Sequence, residues 1–394
     1  MFSDRKNASQ VADRLWRFYS RRTRTEISAA IYYPDPAAGD LPPVAAAGDD
    51  DDVVRGRGPA PWCELSALLE LTRRRARADR DNPSDVLPSV IPVMGFEGGI
   101  ETAMLGGRVR WVGTRLHTYG EPSEPLIADY EQFDWRLPDD GNVWLERYLD
   151  AYRYFLAASD GQFDLGFNAG IIAMNFAVQL RGAERAYLDL YDDPENLRRL
   201  LEYSVRFNEH LRARVGAIVG EYNRGLYGDH PLAEYRADRR PESSVDAYGL
   251  CAAGTLRQWG MLQLTEFNVL AGGASLHIHE NARHVLEEVV EIPRWRQVAF
   301  TDGPGYPRSF DIRWELRRRM RDVPLRIYCA RDEFLHALAD SDLPPNAQYC
   351  FGTDSQAEAE RIMDAVRTYR APETCLPTGR PGGCSPCRPQ GDSR

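Results

Sequence analysis

The regular alternation of strand patterns with helix patterns in the second half of the chain is the feature that most restricts its fold. Five short strand patterns are each followed by a segment in which apolar residues recur at helical spacing; they lie at residues 245–251, 275–279, 297–301, 325–329 and 347–353. Strands that alternate with helices in this way form parallel sheets covered by helices. The sequence therefore predicts an α/β fold.

The first half of the chain adds three weaker strand patterns, at residues 26–33, 89–95 and 163–168. Eight strand–helix units in 394 residues favour a closed (β/α)₈ TIM barrel over an open sheet. We expect the barrel to span residues 26–372, after an N-terminal helical extension (1–25). Two segments offer little apolar surface to bury, and we expect a flexible insertion at 34–61 and a disordered tail at 373–394.

Charge and composition exclude several classes of partner. The net charge of −10 argues against nucleic-acid binding, which depends on basic surfaces facing phosphates. The sequence has no signal peptide and no apolar run long enough to span a bilayer, and its seven cysteines follow no repeating frame. We therefore expect a reduced, cytoplasmic protein without membrane contact. Neither G-x-G-x-x-G nor a P-loop occurs, so a nucleotide site has no support and a small-molecule substrate is expected.

Two histidines stand at the end of a predicted strand in the stretch ASLHIHENARHVLEEVV (residues 274–290). Side chains of a strand alternate between two faces, so His277 and His279 share one face and Ile278 points to the other. Helical spacing of apolar residues begins immediately afterwards. In α/β proteins, active sites usually lie at this carboxyl end of the strands.

The residue types point to a metal site. His277, His279 and Cys350, which lies on the last predicted strand, could form a three-ligand site that leaves one position of a zinc ion open. In the alternative reading His277 hydrogen-bonds substrate or backbone, His279 lines the pocket, and Cys350 is a small apolar filler.

Other polar residues follow the predicted strands and would face the same mouth. Asp246 and Glu97 are candidate catalytic carboxylates, provided that burial raises the pKa of the group that transfers the proton. The candidate substrate-binding residues are Asn168, Asp302 and Arg331. Aspartates at such positions commonly cap the next helix, and an arginine there often forms a surface ion pair, so both alternatives remain open.

Two longer segments resemble a known superfamily. LRGAERAYLDLYDDPENLRRLLEYSVRFNEHL (180–211) resembles the "LRG…DLYDDPE…LL" segment of the uroporphyrinogen decarboxylase superfamily. GGASLHIHENARHVLEEVVEI (272–292) is similar to its "GG…H-x-C-G-N…LL…L-E-I" segment. The resemblance covers residues 26–369 and implies a (β/α)₈ barrel. The superfamily includes cofactor-free decarboxylases of tetrapyrrole acetates, and zinc-dependent methyltransferases that move a methyl group between a corrinoid and a thiol.

This chain departs from the motifs of the decarboxylases more than from those of the methyltransferases. The decarboxylases carry an R-Q-A-G-R-Y segment and a catalytic Asp in F-S-D-I; neither occurs here, and PVMGFEGGIE (92–101) occupies the second-strand region. His277 matches the histidine of the methyltransferases, whereas His279 stands where their cysteine would be, and Cys350 matches their distant cysteine only loosely. The resemblance thus favours metal-assisted methyl (one-carbon) transfer, with zinc, a corrinoid methyl carrier or a thiol substrate, and a corrinoid protein as candidate partner. The alternatives are a cofactor-free decarboxylase of a tetrapyrrole or other polycarboxylate, and a non-catalytic barrel that binds a tetrapyrrole or corrinoid.

Overall fold

A computed structural model describes residues 7–33, 65–92, 99–114, 117–122, 124–167, 171–233 and 242–372. Its strands are β1 (Ser28–Tyr32), β2 (Ser89–Val90), β3 (Val109–Thr114), β4 (His117–Pro122), β5 (Asp164–Leu165), β6 (Glu242–Ser244), β7 (Ser275–Ile278), β8 (Gln297–Phe300), β9 (Leu325–Tyr328) and β10 (Ala347–Gly352). Its helices are α1 (Ala8–Tyr19), α2 (Leu65–Ala78), α3 (Ile100–Met104), α4 (Val143–Ala157), α5 (Met174–Arg181), α6 (Ala183–Asp192), α7 (Pro194–Tyr227), α8 (Ala253–Trp259), α9 (Met261–Leu270), α10 (Leu286–Val289), α11 (Arg313–Arg319), α12 (Arg331–Ala339) and α13 (Gln356–Thr368).

Six strands form one parallel sheet in the order β1-β10-β9-β8-β7-β6. β2 and β5 form a separate parallel pair, and β3 and β4 form an antiparallel hairpin. The predicted α/β architecture with a mostly parallel sheet is therefore confirmed. The strand order is compatible with a barrel, but no closed ring of strands is detected among the described residues.

Strand pairing is interrupted on both sides of the β2–β5 pair. Both strands are only two residues long, and within the described residues no strand ladder joins β1 to β2 or β5 to β6. Side chains connect these regions instead: Asp85 accepts a hydrogen bond from Ser28 Oγ at 2.9 Å, and Asn175 Nδ2 donates to the backbone oxygen of Ser244 at 3.3 Å. The predicted segments 34–61 and 373–394 lie outside the described residues.

The predicted strand at 245–251 is wrong. The strand ends at Ser244, and residues Asp246–Leu250 form a 3-10 helix. Backbone N–H groups of Tyr248 and Cys251 donate to the oxygens three residues before them, which closes successive turns. Burial alone does not distinguish the two structures here, because Val245, Ala247 and Tyr248 are all buried, whereas the hydrogen bonds do.

Two further differences concern helices. α8 and α9 are separate helices that meet at Gly260, where an added Cβ would lie 2.3 Å from the Tyr248 hydroxyl oxygen. α6 was not anticipated from the sequence. The long helix α7 begins after Asp193, whose side chain accepts from the Asn196 N–H, and it ends before Gly228, whose φ of +56° suits glycine.

The main core lies between the sheet and its helices. One face of the sheet is apolar and fully buried, as Leu276, Ile278, Val298 and Phe300 show. α1 packs its apolar side, including Leu15 and Phe18, against the end of α7 in a second, smaller core. Among the helices of the described residues, none combines the length and the apolar character that a bilayer crossing requires. The expected cytoplasmic location stays a prediction.

Candidate metal centre

The opposite face of the sheet is polar. Residues paired in register on parallel strands share a face, and Ser244, His277, Ala299 and Arg326 are consecutive partners on β6, β7, β8 and β9. The predicted orientation of His277 away from Ile278 follows from this arrangement: Ile278 is fully buried, while 30% of the His277 side chain is exposed. The side chains on this polar face are therefore candidates for binding a metal ion or a small molecule.

Three potential ligand atoms converge at the carboxyl end of β6 and β7. Asp246, His277 and His279 each offer one atom, and the three atoms lie within 4.8 Å of one another. His277 Nε2 is 3.5 Å from Asp246 Oδ2, and His279 Nε2 is 4.0 Å from Asp246 Oδ1. The two rings meet edge to face, with centroids 5.4 Å apart. Within the part of the chain that the structure describes, this is the group of His, Cys, Asp and Glu side chains that fits a metal ion.

The local fold brings Asp246 to the histidines. Because β6 ends at Ser244 and the chain then turns into a 3-10 helix, Asp246 stands just beyond the strand end that is paired with His277. Ser244 Oγ donates to Asp246 Oδ2 at 2.7 Å. Asn175 in α5 holds the turn, because its Oδ1 accepts from the Ala247 N–H at 2.8 Å and its Nδ2 donates to Ser244 Oγ at 2.5 Å.

Glu242 orients the His277 ring. Its Oε1 lies 3.0 Å from Nδ1 of His277, so a proton on Nδ1 is held there and Nε2 faces Asp246. A carboxylate that accepts from one nitrogen of a histidine while the other nitrogen faces a metal is the usual outer arrangement of histidine ligands. Glu280 lies near His279, with Oε2 3.9 Å from Nδ1, which is beyond hydrogen-bond distance.

The Glu280 carboxylate lies close to the backbone of Gly303. A Cβ added at Gly303 would lie 1.9 Å from Glu280 Oε1. The Glu280 side chain is only 16% exposed. Because Gly303 has no side chain, the Glu280 carboxylate can occupy this space beside His279.

The donor set fits a metal ion. Asp246 Oδ1 is buried and has no hydrogen-bond partner among the described residues. It lies 4.0 Å from His279 Nε2, which is too far for a hydrogen bond. Glu280 Oε2 is likewise buried without such a partner. A buried carboxylate oxygen without a partner is unfavourable, and a cation between Asp246 and the two imidazoles would satisfy it. Two imidazoles and one carboxylate suit divalent zinc, iron, manganese or cobalt.

Electrostatics of the metal-free cluster favour a cation. Burial lowers the pKa of His277, but the hydrogen bonds and negative charges of Asp246 and Glu242 outweigh it and raise this pKa to about 10. Burial raises the pKa of Asp246, but His277 and Ser244 outweigh it and bring this pKa below its ordinary value. At neutral pH the His277 imidazolium thus occupies the position of a cation between two carboxylates, and a metal ion would compete with its proton at Nε2.

The lowered pKa of Asp246 disfavours proton donation by this group, and its predicted catalytic role stays a prediction. Proton donation required a carboxyl group whose pKa is raised by burial, whereas Asp246 is ionised at neutral pH. An ionised carboxylate beside two imidazoles is suited to binding a cation. The ionised carboxylate of Asp246 therefore suits a metal ligand better than a proton donor.

The structure does not bring Cys350 to the two imidazoles. It lies on β10, and β8 and β9 separate that strand from β7. Its Sγ accepts a hydrogen bond from Arg326 Nε at 3.2 Å, and burial raises the pKa of the thiol, which disfavours the thiolate that zinc binds. The predicted ligand set is therefore corrected: Asp246 takes the third position that the sequence analysis gave to Cys350.

The remaining predicted site residues are dispersed. Glu97 and Asn168 lie outside the described residues. Asp302 forms an ion pair with Arg283 at 2.7 Å and accepts from the Ser309 N–H at 2.7 Å, which are structural contacts. Arg331 forms ion pairs at the surface with Asp332, Asp354 and Glu358. Their predicted contacts with a substrate stay predictions.

Sequence reasoning missed the residues that support the ligands, namely Glu242, Ser244, Asn175 and Glu280. Placing the fourth strand at 242–244 instead of 245–251 would have paired Ser244 with His277 and brought Glu242 beside it. A comparison of the chain with models of known protein families and with curated protein sequences finds no match. The site is therefore interpreted from its own geometry, together with the resemblance of the two segments described above.

Proposed function

We propose that the protein is a metal-dependent enzyme in which Asp246, His277 and His279 hold a divalent transition-metal ion, zinc in the first instance. The observation that carries the proposal is the convergence of three ligand atoms within 4.8 Å around a buried carboxylate oxygen that lacks a partner. The location supports it, because active sites of α/β proteins lie at the carboxyl ends of parallel strands. We propose further that the strands close into a (β/α)₈ barrel around this site.

Each residue has a distinct task in the proposed site. Glu242 keeps the proton on Nδ1 of His277, so that the lone pair of Nε2 is available once its own proton has left. Ser244 and Asn175 fix the Asp246 carboxylate before any ligand arrives. Three protein ligands leave at least one position for a substrate atom.

The reaction that we propose is methyl (one-carbon) transfer with a thiol substrate and a corrinoid methyl carrier, which a corrinoid protein would supply. A bound zinc ion stabilises a thiolate at neutral pH, and a thiolate is the nucleophile that accepts a methyl group. The matching histidine in the superfamily resemblance supports this choice. The alternative decarboxylation needs a carboxyl group that donates a proton, and the lowered pKa of Asp246 does not favour it.

We expect demethylation of methylcobalamin by a small thiol to depend on zinc in this protein. Chelator-treated protein should be inactive, one equivalent of zinc per chain should restore turnover, and Asp246→Asn should lose it because a neutral amide binds zinc weakly. The loss of the methylcobalamin absorbance measures the rate. Stoichiometric zinc binding without demethylation would contradict methyl transfer, and failure to bind zinc would contradict the metal enzyme altogether.

A further inference from the structure

A second polar group stands on the same sheet face, away from the metal ligands. Arg326 on β9 lines a cavity of about 760 Å³ that lies between β1, β2, α2 and the polar face of the sheet. Tyr32 and Gln348 line the same cavity. One guanidinium group and two neutral hydrogen-bonding side chains therefore line the same cavity, which is large enough for a small molecule.

The Arg326 guanidinium group is held in place by neutral partners. Its Nε donates to Cys350 Sγ at 3.2 Å and its Nη2 donates to the Tyr32 hydroxyl at 3.0 Å. The Tyr328 ring lies 5.5 Å from its Cζ. Among the described residues, no ion pair includes Arg326. A partly buried cation without a carboxylate partner is unfavourable, and among the described residues none accepts a hydrogen bond from Nη1 of this group.

The other charged residues that line the cavity are two arginines and two aspartates, namely Arg74, Arg75, Asp79 and Asp85. Arg74 is paired with Glu70, and Asp85 is paired with Arg14 at 2.5 Å. Burial raises the pKa of the Tyr32 hydroxyl to about 12, so this group stays protonated and can donate to an anion. Arg75 is exposed on α2, whereas Arg326 is the charged residue that the sheet contributes to the lining, and no described residue forms an ion pair with it.

We propose that Arg326 is the anchor of a carboxylate-binding subsite in this cavity. The planar guanidinium group matches the two oxygens of a carboxylate, and the Tyr32 hydroxyl supplies a further donor. A single guanidinium group with neutral neighbours compensates one negative charge, which favours a carboxylate over a phosphate dianion. The ligand is thus a small organic acid, or a larger molecule that carries a carboxylate group.

The position of Arg326 relative to His277 constrains that molecule. The two residues share one face at one register level, with only Ala299 between them, so their Cα atoms are about 10 Å apart. A molecule whose carboxylate binds Arg326 would extend over the methyl group of Ala299 and present a group several bonds away to the metal ligands. This step alone rests on the proposed function; the carboxylate subsite does not.

The test measures binding to chelator-treated protein, so its result does not depend on the metal. Succinate, benzoate and inorganic phosphate are titrated separately and followed by calorimetry. We expect at least one of the two carboxylates to bind, phosphate to bind more weakly, and Arg326→Gln to weaken carboxylate binding at least tenfold. Arg153→Gln removes the same charge from an exposed arginine that is ion-paired with Glu146 and Asp150, and it should leave binding unchanged.

Arg326→Lys keeps the charge but loses the planar pair of donors, and it serves as the second variant should Arg326→Gln fail to fold. We expect it to bind the carboxylates less tightly than the wild-type protein. The proposal is overturned when neither carboxylate binds the wild-type protein at 50 mM, a concentration on the order of ten times a weak millimolar dissociation constant. Equal carboxylate binding by the Arg326 variants, or tighter binding of phosphate, would overturn it as well.

Discussion

Replacing His277 with alanine is expected to weaken zinc binding about a hundredfold or more. Loss of outer residues that orient a ligand already costs about 10- to 100-fold in metal affinity, and His277 is a proposed ligand itself. It also lies between Asp246 and Glu242, so its removal leaves two carboxylates without the group that separates them. The dissociation constant is measured on chelator-treated protein by competition with a chromophoric chelator.

Two variants give this prediction its controls. Glu242→Gln retains all three ligands but loses the carboxylate that holds the Nδ1 proton, and we expect a smaller loss of about tenfold. His336→Ala removes an imidazole that is 83% exposed on α12, and zinc affinity should not change. A zinc affinity in the His277→Ala variant equal to that of the wild-type protein would show that the ion binds elsewhere.

Replacing Asp302 with alanine is expected to lower the free energy of unfolding by about 2–4 kcal/mol without weakening zinc binding. Asp302 pairs with Arg283, whose side chain is only 8% exposed, and it also accepts from the Ser309 N–H. Removing the carboxylate leaves a largely buried guanidinium group without its counter-ion, although Arg283 keeps its bonds to the Thr301 and Pro307 oxygens. Urea denaturation measures the change.

The matched control is Asp364→Ala. Asp364 forms an exposed ion pair with Arg367 on α13, and such pairs contribute little, so the change should stay within about 0.5 kcal/mol. Asp302 was a candidate substrate-binding residue in the sequence analysis, and that role stays a prediction beside its contacts with Arg283 and Ser309. Unchanged stability in the Asp302→Ala variant would contradict the structural role, and lost catalysis with unchanged stability would support a contact with substrate.

The second half of the fold could be predicted closely because its strands are buried and apolar on one face. β7, β8, β9 and β10 each lie within the predicted ranges, and each is followed by a helix as expected. The first half could not be predicted to the same degree. β2 and β5 are two residues long, too short for a period of two to be distinguished from chance.

The part of the candidate site that lies on one strand could be predicted from the sequence. The part that depends on strand order and on where each strand ends could not. Alternation along one strand is enough to place His277 and His279 on one face. The choice of a third ligand depends on which strands are neighbours and where each one ends. Cys350 is separated from β7 by two strands, whereas Asp246 follows the adjacent strand β6, whose end was misplaced in the sequence analysis.

The most direct test of the metal site is a crystal structure of the protein with one equivalent of zinc, with diffraction data collected on both sides of the zinc absorption edge. We expect a single anomalous peak about 2.0–2.2 Å from one side-chain atom of each of Asp246, His277 and His279. An anomalous peak at another position, or both imidazoles turned away from Asp246 with no zinc between them, would contradict the proposed metal centre.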